Sequence, residues 1–477
     1  MLKYLKSILA VTLSFAMLIT VAGCGNGKEV GGNKNDVGFE KVDPITNDEV
    51  VDMKGYEFTI VSPFIFPDPE DALTVAEQQF HARCAEIEEE FNCKIKIVNQ
   101  KTDTASIAAT MLAGDKLGDI VQFDMADLYQ AIGSGYLRPL NTIKGIDAAD
   151  TRWEQGYTKM AYYKDDPYGL YFYRPQELRY CILYNKTMLK EYGITEDLNQ
   201  LVRDGKWTFD KLRELAIACT KDTNGDGEPD TYGLITNTPE ALATNFITAN
   251  GGAVAKVING KVTETTNEQS VVNALNFLHG LINTDKVMYV PEQWKTKKTY
   301  YAGGVGYKEL TALFNDGKVA FDLTEAWIAN QAVKPGSPKI SYGLLPFPKG
   351  PDADKYYTPA NFALVFAVTK NNKDIDKVVP IINALGKTAE GYEGEEWIND
   401  AIEMDYLQSG DSESVEMYKF TYNNSTFDIG MSIQSVWSEF SEVVAMAPIF
   451  WGQGTPASQL EAFNGTAQKA LDNLFEK

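Results

Sequence analysis

Residues 113–124 read Ala-Gly-Asp-Lys-Leu-Gly-Asp-Ile-Val-Gln-Phe-Asp, and this stretch decides the fold. Asp119 to Phe123 is a short apolar run framed by turn residues, the pattern of a strand buried on both faces. Met125 to Ile132 then takes up helical spacing and stops at Gly133 and Gly135. Upstream, Ser106 to Ala113 is a short helix closed by Gly114. Thr74 to Phe91 is a longer helix that leads into a strand, Cys93 to Val98. The first ordered strand is Tyr56 to Val61. Strand and helix therefore alternate, which predicts parallel α/β layers.

The N-terminus carries an address. Lys3 and Lys6 precede an uncharged apolar run from Ile8 to Ala22, the layout of a secretory signal. The run is short of the about 20 apolar residues a spanning helix needs. It ends in Val21-Ala22-Gly23-Cys24, which resembles the lipobox of bacterial lipoproteins, whose cysteine receives a diacylglycerol. The expectation is a signal peptide over 1–23 and lipidation at Cys24. The protein would then sit on the outer face of the cell membrane, as in a Gram-positive lipoprotein. Gly25 to Asn35 reads GNGKEVGGNKN and has no apolar pattern, so 24–52 is expected to be a flexible tether.

The chain from residue 53 onward is too long for one small core, so two lobes are expected. A formal charge of −22 argues against nucleic acid, whose phosphates it would repel. Aromatic residues make up 12% of the chain, with 25 Tyr and 7 Trp, and rings with a polar tip suit sugar surfaces. Cys84, Cys93, Cys181 and Cys219 have no disulfide-framework or zinc-site spacing and are expected as buried free thiols. Cys84 with Cys93 is the pair to examine for a bridge. No nucleophile elbow or HExxH motif is present in the sequence.

Six segments in order carry a resemblance. They are AGDKLGDIVQFD (113–124) with GYLRPL (135–140), ILYNKTMLKEYGI (182–194), WTFDKLRELA (207–216), FNDGKVAFDLTEAWIA (314–329) and YGLLPFPKG (342–350). Together they resemble the family 1 extracellular solute-binding proteins, the maltose-binding-protein-like sugar-capturing components of ABC importers. The resemblance implies a two-lobed α/β fold of the periplasmic-binding-protein type II. Lobe one would hold 53–165 and 343–398, and lobe two 166–342 and 399–477. It further implies a monomer without enzymatic activity, a carbohydrate trapped between the lobes, and ABC permease subunits as partners. Two alternatives stay open: a peptide or other polar solute on the same fold, and an extracellular glycosidase working through two carboxylates.

Ligand-binding positions follow where the family's motifs match. Phe123 and Asp124 end the DIVQFD strand, and Asp124 could equally cap the next helix. Tyr184 stands in LYNK, and Glu325 and Trp327 in the TEAW turn. Trp437 lies in SIQSVWSEF, and Phe64 in the loop after the first strand. Independently of any family, aromatic platforms bury the C–H face of a sugar while carboxylates bind its hydroxyl belt.

Asp222-Thr223-Asn224-Gly225-Asp226-Gly227-Glu228-Pro229-Asp230 carries a second chemistry. Asp222, Asn224, Asp226 and Asp230 occupy positions one, three, five and nine of a calcium loop. Glycine stands at six, and Glu228 offers its carbonyl at seven. Position twelve is Gly233 where an EF-hand has glutamate, so the expectation is a half-loop binding structural Ca²⁺. A plain polar turn is the alternative.

Overall fold

The structure is a computed structural model. It describes residues 39–44, 48–64, 66, 68–72, 74–172, 178–295, 307–326, 339–360, 363–407 and 411–476. Lipidation of Cys24 and the contact expected of Trp327 fall outside these residues.

Two four-stranded sheets organise the chain. The first has the order Leu364–Ala367, Ile120–Asp124, Tyr56–Ser62, Cys93–Asn99. Tyr56–Ser62 runs parallel to both neighbours, with Tyr56 opposite Cys93 and Ile60 opposite Ile120. The second has the order Tyr342–Leu345, Tyr180–Asn185, Val319–Glu325, Tyr232–Thr236. Here Val319–Glu325 is parallel to Tyr232–Thr236 but antiparallel to Tyr180–Asn185, with Glu325 opposite Tyr180.

The sheets are therefore mixed, where strand–helix alternation alone predicts parallel ones. The cause is the path of the chain between lobes. Leu170 bridges Phe366 at the edge of the first sheet, and the chain enters the second sheet at Tyr180. That entry lies where Val319–Glu325 ends, so Tyr180–Asn185 has to run backwards. The return crossing enters lobe one at Leu364, opposite Asp124, and is reversed for the same reason.

Helices cover both sheets. Val75–Phe91 begins with a capping box: the Glu77 amide donates to Thr74 Oγ1 (3.2 Å) and the Thr74 amide to Glu77 Oε2 (2.9 Å). This helix and Ile375–Leu385 bury Phe80, Ile87, Val378 and Ile382 against Phe58, Ile60 and Phe366. A larger core joins Val121 and Phe123 in lobe one to Trp207, Phe246 and Phe321 in lobe two. Cys84, Cys93, Cys181 and Cys219 are buried free thiols. Burial lifts Cys84 to about 12 and Cys93 to about 11, so neither is a ready thiolate.

The segment read as tether reaches lobe one by residue 39. Arg138 lies 4.6 Å from the Phe39 ring centre, the Val42 amide donates to the Asn141 carbonyl (2.8 Å), and Lys41 pairs with Asp166. Helix Glu396–Tyr406 packs on Val75–Phe91 and continues lobe one past the expected boundary at 398. The C-terminal helix Pro456–Phe475 starts on lobe two, but Leu474 lies against Gly133 and Phe475 against Tyr163. Its last turn therefore rests on lobe one.

Candidate functional site

In open α/β sheets a ligand sits beyond the carboxyl ends of the strands. Those ends belong to Tyr56–Ser62 and Ile120–Asp124 on lobe one and to Tyr232–Thr236 and Val319–Glu325 on lobe two. The crossing chain passes there too, which places the candidate site between the lobes.

On lobe one, Ser62 is locked: its hydroxyl donates to Gln122 Oε1 at 2.7 Å and accepts the Phe64 amide at 3.1 Å. Phe64 beyond it is 51% exposed, a free aromatic face at the strand end. Asp124 ends its strand and caps helix Met125–Gly133, accepting the Asp127 amide at 2.8 Å. Burial raises the Asp124 carboxyl, while the amides of Asp127 and Ala126 and the Arg179 charge pull it back down. Asp127 is pushed up to about 8, first by burial and then by Asp124 and Asp103. Asp103 caps the neighbouring helix Thr104–Ala113 through the Ser106 amide (3.0 Å).

On lobe two, Glu325 pairs with Arg179 at 3.2 Å, and the Arg179 carbonyl accepts the Ala326 amide at 3.1 Å. The Arg179 guanidinium lies 5.7 Å from the Tyr180 ring centre. Asn237 follows strand Tyr232–Thr236, and its amide donates to Asp322 (3.2 Å to Oδ1) and to Thr324 Oγ1 (3.2 Å). Burial pushes Asp322 up to about 8 against that hydrogen bond. Glu240, in the first turn of helix Pro239–Ala249, rises to about 7 through burial and then the Glu325 charge. Near neutral pH these carboxyls hold protons, so they donate as well as accept hydrogen bonds. Such groups complement hydroxyls.

The residues singled out from sequence divide. Phe64, Asp124 and Glu325 lie at the strand ends. Phe123 does not serve as a platform, because it is fully buried in the core. Tyr184 is also a core ring: it stands opposite Phe321 and Gly343, four residues inward from Tyr180. Asn199 Nδ2 donates to its hydroxyl (3.4 Å), and Lys186 lies 5.6 Å from the ring centre, away from the strand ends. Trp437 is half-buried on helix Gln434–Glu439, just after the turn Ile429–Ser432 that packs on Met125–Gly133. Arg179, Asp127, Asn237 and Glu240 escaped the sequence reading. Asn237 and Glu240 follow the carboxyl end of Tyr232–Thr236, an apolar run that the sequence reading leaves unassigned.

A cavity of 890 Å³ lies elsewhere, lined by Tyr129, Lys159, Gly252, Lys256, Tyr357 and Phe427. Helix Pro239–Ala249 starts at the strand ends and reaches this cavity only with Thr248 at its far end, about 1.5 Å per residue away. The hollow is lined from both lobes, by Tyr129 and Lys159 on one side and Gly252 and Lys256 on the other.

The Asp222–Asp230 loop is exposed and lies at the other end of the lobe-two sheet, before Tyr232. Lys221 and Thr231 pair across its neck. Asp222 accepts the amides of Gly225 (2.6 Å) and Gly227 (2.9 Å), and Asn224 Oδ1 accepts that of Asp226 (2.8 Å). Gly227 has φ of 96°, the left-handed turn required at position six. Asp230 accepts the Thr223 amide (2.7 Å) and the Asn224 side chain (3.0 Å). The candidate ligand atoms are all oxygen and the turn is formed, which fits a hard cation, to which Glu228 would offer its carbonyl. Among the described residues, no three His, Cys, Asp or Glu side chains already converge as a metal-ligating group.

Comparison with known proteins agrees with this architecture. A family model described as bacterial extracellular solute-binding protein matches residues 73–389. The maltose/maltodextrin-binding domain MalE from Bdellovibrio bacteriovorus, solved with maltotriose, superposes with a TM-score of 0.54 at 18% identity. That match covers 87% of this chain and 99% of the other. The ABC substrate-binding protein Lmo0181 from Listeria monocytogenes, in complex with cycloalternan, gives 0.58 at 16% identity, over 87% and 98%. UgpB from Mycobacterium tuberculosis, in complex with glycerophosphocholine, gives 0.59 at 14% identity, over 88% and 98%. These establish the two-lobed fold of the periplasmic binding proteins. With more than half of its length matched by the family model, the chain belongs to the bacterial extracellular solute-binding proteins.

Proposed function

We propose that this protein captures a carbohydrate, an oligosaccharide, between its lobes and delivers it to an ABC permease. The observation that carries this reading is the composition of the strand ends. An exposed aromatic, Phe64, stands with carboxyls from both lobes, Asp124 and Asp127 on one side and Glu240 and Glu325 on the other. Rings cover the apolar face of a sugar, and its hydroxyls meet Asp127 and Glu240, which burial favours in the protonated form that can donate, beside the Arg179-paired Glu325. Trp327 and Trp437 complete the proposed set. The sugar ligands named for the Bdellovibrio and Listeria structures support the same class.

The lipobox-like Cys24 would hold the protein at the outer face of the membrane, where a permease receives the ligand. No helix among the described residues is long and apolar enough to cross a membrane. Two acyl chains anchor stably where one binds weakly. Asp222, Asn224, Asp226, Asp230 and the Glu228 carbonyl would hold Ca²⁺ as a structural brace.

Thermal-shift screening against malto-oligosaccharides, other glycans, peptides and glycerophosphocholine tests the reading. Only a ligand that prefers the folded state raises the melting temperature. A glycan-specific rise supports it. A rise with peptides or glycerophosphocholine alone overturns the substrate class, and release of reducing ends would point to a glycosidase instead.

A further inference from the structure

We propose that Tyr422 is a positioning residue of the hinge. From a helix anchored on lobe two, its hydroxyl clasps the Glu154 carboxylate of lobe one and biases the lobes towards the arrangement seen here. Tyr422 belongs to none of the six family-like segments, and its role depends on the two-lobed fold alone.

Helix Ser412–Asn423 starts on lobe two. The Leu344 amide of the sheet donates to Ser414 Oγ (3.0 Å), Lys186 pairs with Asp411 (2.6 Å) and Arg203 with Glu416 (2.7 Å). Its far end meets the crossing segments instead. Tyr418 and Tyr422 are four residues apart and so share one face. The Tyr418 hydroxyl accepts the Leu178 amide (2.8 Å) just before strand Tyr180–Asn185, on the first crossing. Directly after the helix, the Asn424 and Thr426 carbonyls accept the amides of Thr358 (2.9 Å) and Ala360 (2.8 Å), on the return crossing towards Leu364. The chain then runs on to Phe427, whose ring stacks 5.3 Å from that of Tyr129 on lobe one.

The lobe-one end of the clasp is built in advance. Glu154 accepts the amides of Gly156 (2.8 Å) and Tyr157 (3.0 Å) at the start of helix Gln155–Met160, and its own amide donates to the Tyr171 carbonyl (2.7 Å). The carboxylate is thus already fixed, so the bond costs little further side-chain entropy. The buried Tyr422 ring packs 4.9 Å from that of Tyr157, and burial, then the Glu154 charge, keep its hydroxyl protonated as a donor. A hydroxyl on a carboxylate makes a charge-assisted bond, stronger than a neutral one. Beside it the lobes are not packed together. The 890 Å³ cavity opens there, with Glu154 and Gly156 on its wall along with Asn423, Ser425 and Thr426. Where packing is sparse, one directional bond weighs heavily on the balance between two arrangements. Rotation about the paired strands Thr358–Pro359 and Ser425–Thr426 would stretch it, and hydrogen bonds weaken steeply outside a narrow geometry. Lys419 with Glu395 (3.2 Å) also ties this helix to its surroundings, but that pair is largely exposed on the Glu395 side and worth less.

The test needs no ligand. Leu112→Cys on lobe one and Ile217→Cys on lobe two offer exposed positions for nitroxide labels, in a full-length Cys24→Ser chain whose other cysteines are buried. Pulsed electron–electron double resonance then gives the distribution of distances between the lobes. Tyr422→Phe keeps the ring and removes the bond, and is expected to change the ratio of the two arrangements about tenfold while the chain still melts cooperatively. An unchanged distribution overturns the proposal. A changed distribution with the cooperative transition lost would indicate lost packing and overturns it too. Adding Glu154→Gln to Tyr422→Phe should shift the ratio no further, whereas additive shifts would show that the two side chains act separately and overturn the clasp. Should Tyr422→Phe not fold, Glu154→Gln alone must change the ratio, and an unchanged one overturns the idea. Because no sugar is involved, failure of the carbohydrate reading would leave this measurement standing.

Discussion

Asp322 offers a sharp test of how this cleft is supported. It lies within strand Val319–Glu325, is 1% exposed, and accepts a hydrogen bond from the Asn237 side-chain amide. Burial raises its folded-state pKa from 3.8 to about 8. A carboxyl whose pKa rises on folding binds its proton more tightly in the folded state. Stability is therefore full below the unfolded value and falls as pH climbs from about 4 towards 8. At pH 7 that interval is roughly three pH units at about 1.4 kcal/mol each, about 4 kcal/mol as an upper bound. Asp322→Asn replaces the protonated acid by a neutral isostere whose carbonyl can still accept from Asn237. The substitution should stabilise the protein by on the order of 2–4 kcal/mol at pH 8 and change little at pH 4.5. Urea unfolding at the two pH values, followed by tryptophan fluorescence, measures the difference. If the profiles of variant and wild type run parallel across this range, Asp322 is not a buried neutral acid and the electrostatic description of lobe two fails.

Phe64→Ala should weaken binding of the cognate glycan roughly tenfold, the worth of about 1–2 kcal/mol of aromatic face covered. Because Phe64 is half exposed in the free protein, its melting temperature should not change. Trp207→Ala should cost about 3–5 kcal/mol in urea unfolding. Its ring is fully buried, lies 5.9 Å from Phe321, and donates Nε1–H to the Pro346 carbonyl (2.9 Å). Calcium removal by chelation should lower the melting temperature of the wild type but not of Asp222→Ala with Asp226→Ala. Equal melting of the wild type with and without Ca²⁺ would remove the loop from the list of cation sites.

Local pattern carried much of this fold. The Ile120–Asp124 strand and the Met125–Gly133 helix stand where apolar spacing and the glycine stop put them. Strand direction was not legible, because it depends on which end of a sheet a crossing segment enters, and that is set by residues far apart in sequence. The same distance hid the site. Phe123 and Asp124 are neighbours, yet alternation along a strand sends one ring into the core and leaves the other side chain at a helix cap. Tyr184 fails for a related reason: it sits on a strand that runs away from the cleft, a direction invisible in the motif LYNK. Arg179 belongs to no motif at all and is placed only by the pairing of Tyr180 with Glu325 across the sheet, which brings its guanidinium to the Glu325 carboxylate.

The acidity of the chain also divides into two populations with opposite responses to pH. Asp48, Asp204, Asp230 and Asp374 have carboxyls lowered by hydrogen bonds and cations at the surface. Their contribution would be lost on acidification, but solvent screens such exposed groups and each is worth little. Asp127, Glu240 and Asp322 are raised by burial to about 8, 7 and 8, and Asp405 and Asp428 to about 6. Buried groups are screened least, so this second set dominates, and every member disfavours folding as pH rises. Self-repulsion acts in the same sense, since a formal charge of −22 grows in effect as these last protons leave. The two contributions point to a stability maximum on the acid side of neutrality. They also point to a cleft in which Asp127 and Glu240 are neutral hydrogen-bonding partners there, the protonation state in which hydroxyls are bound at the least cost in repulsion.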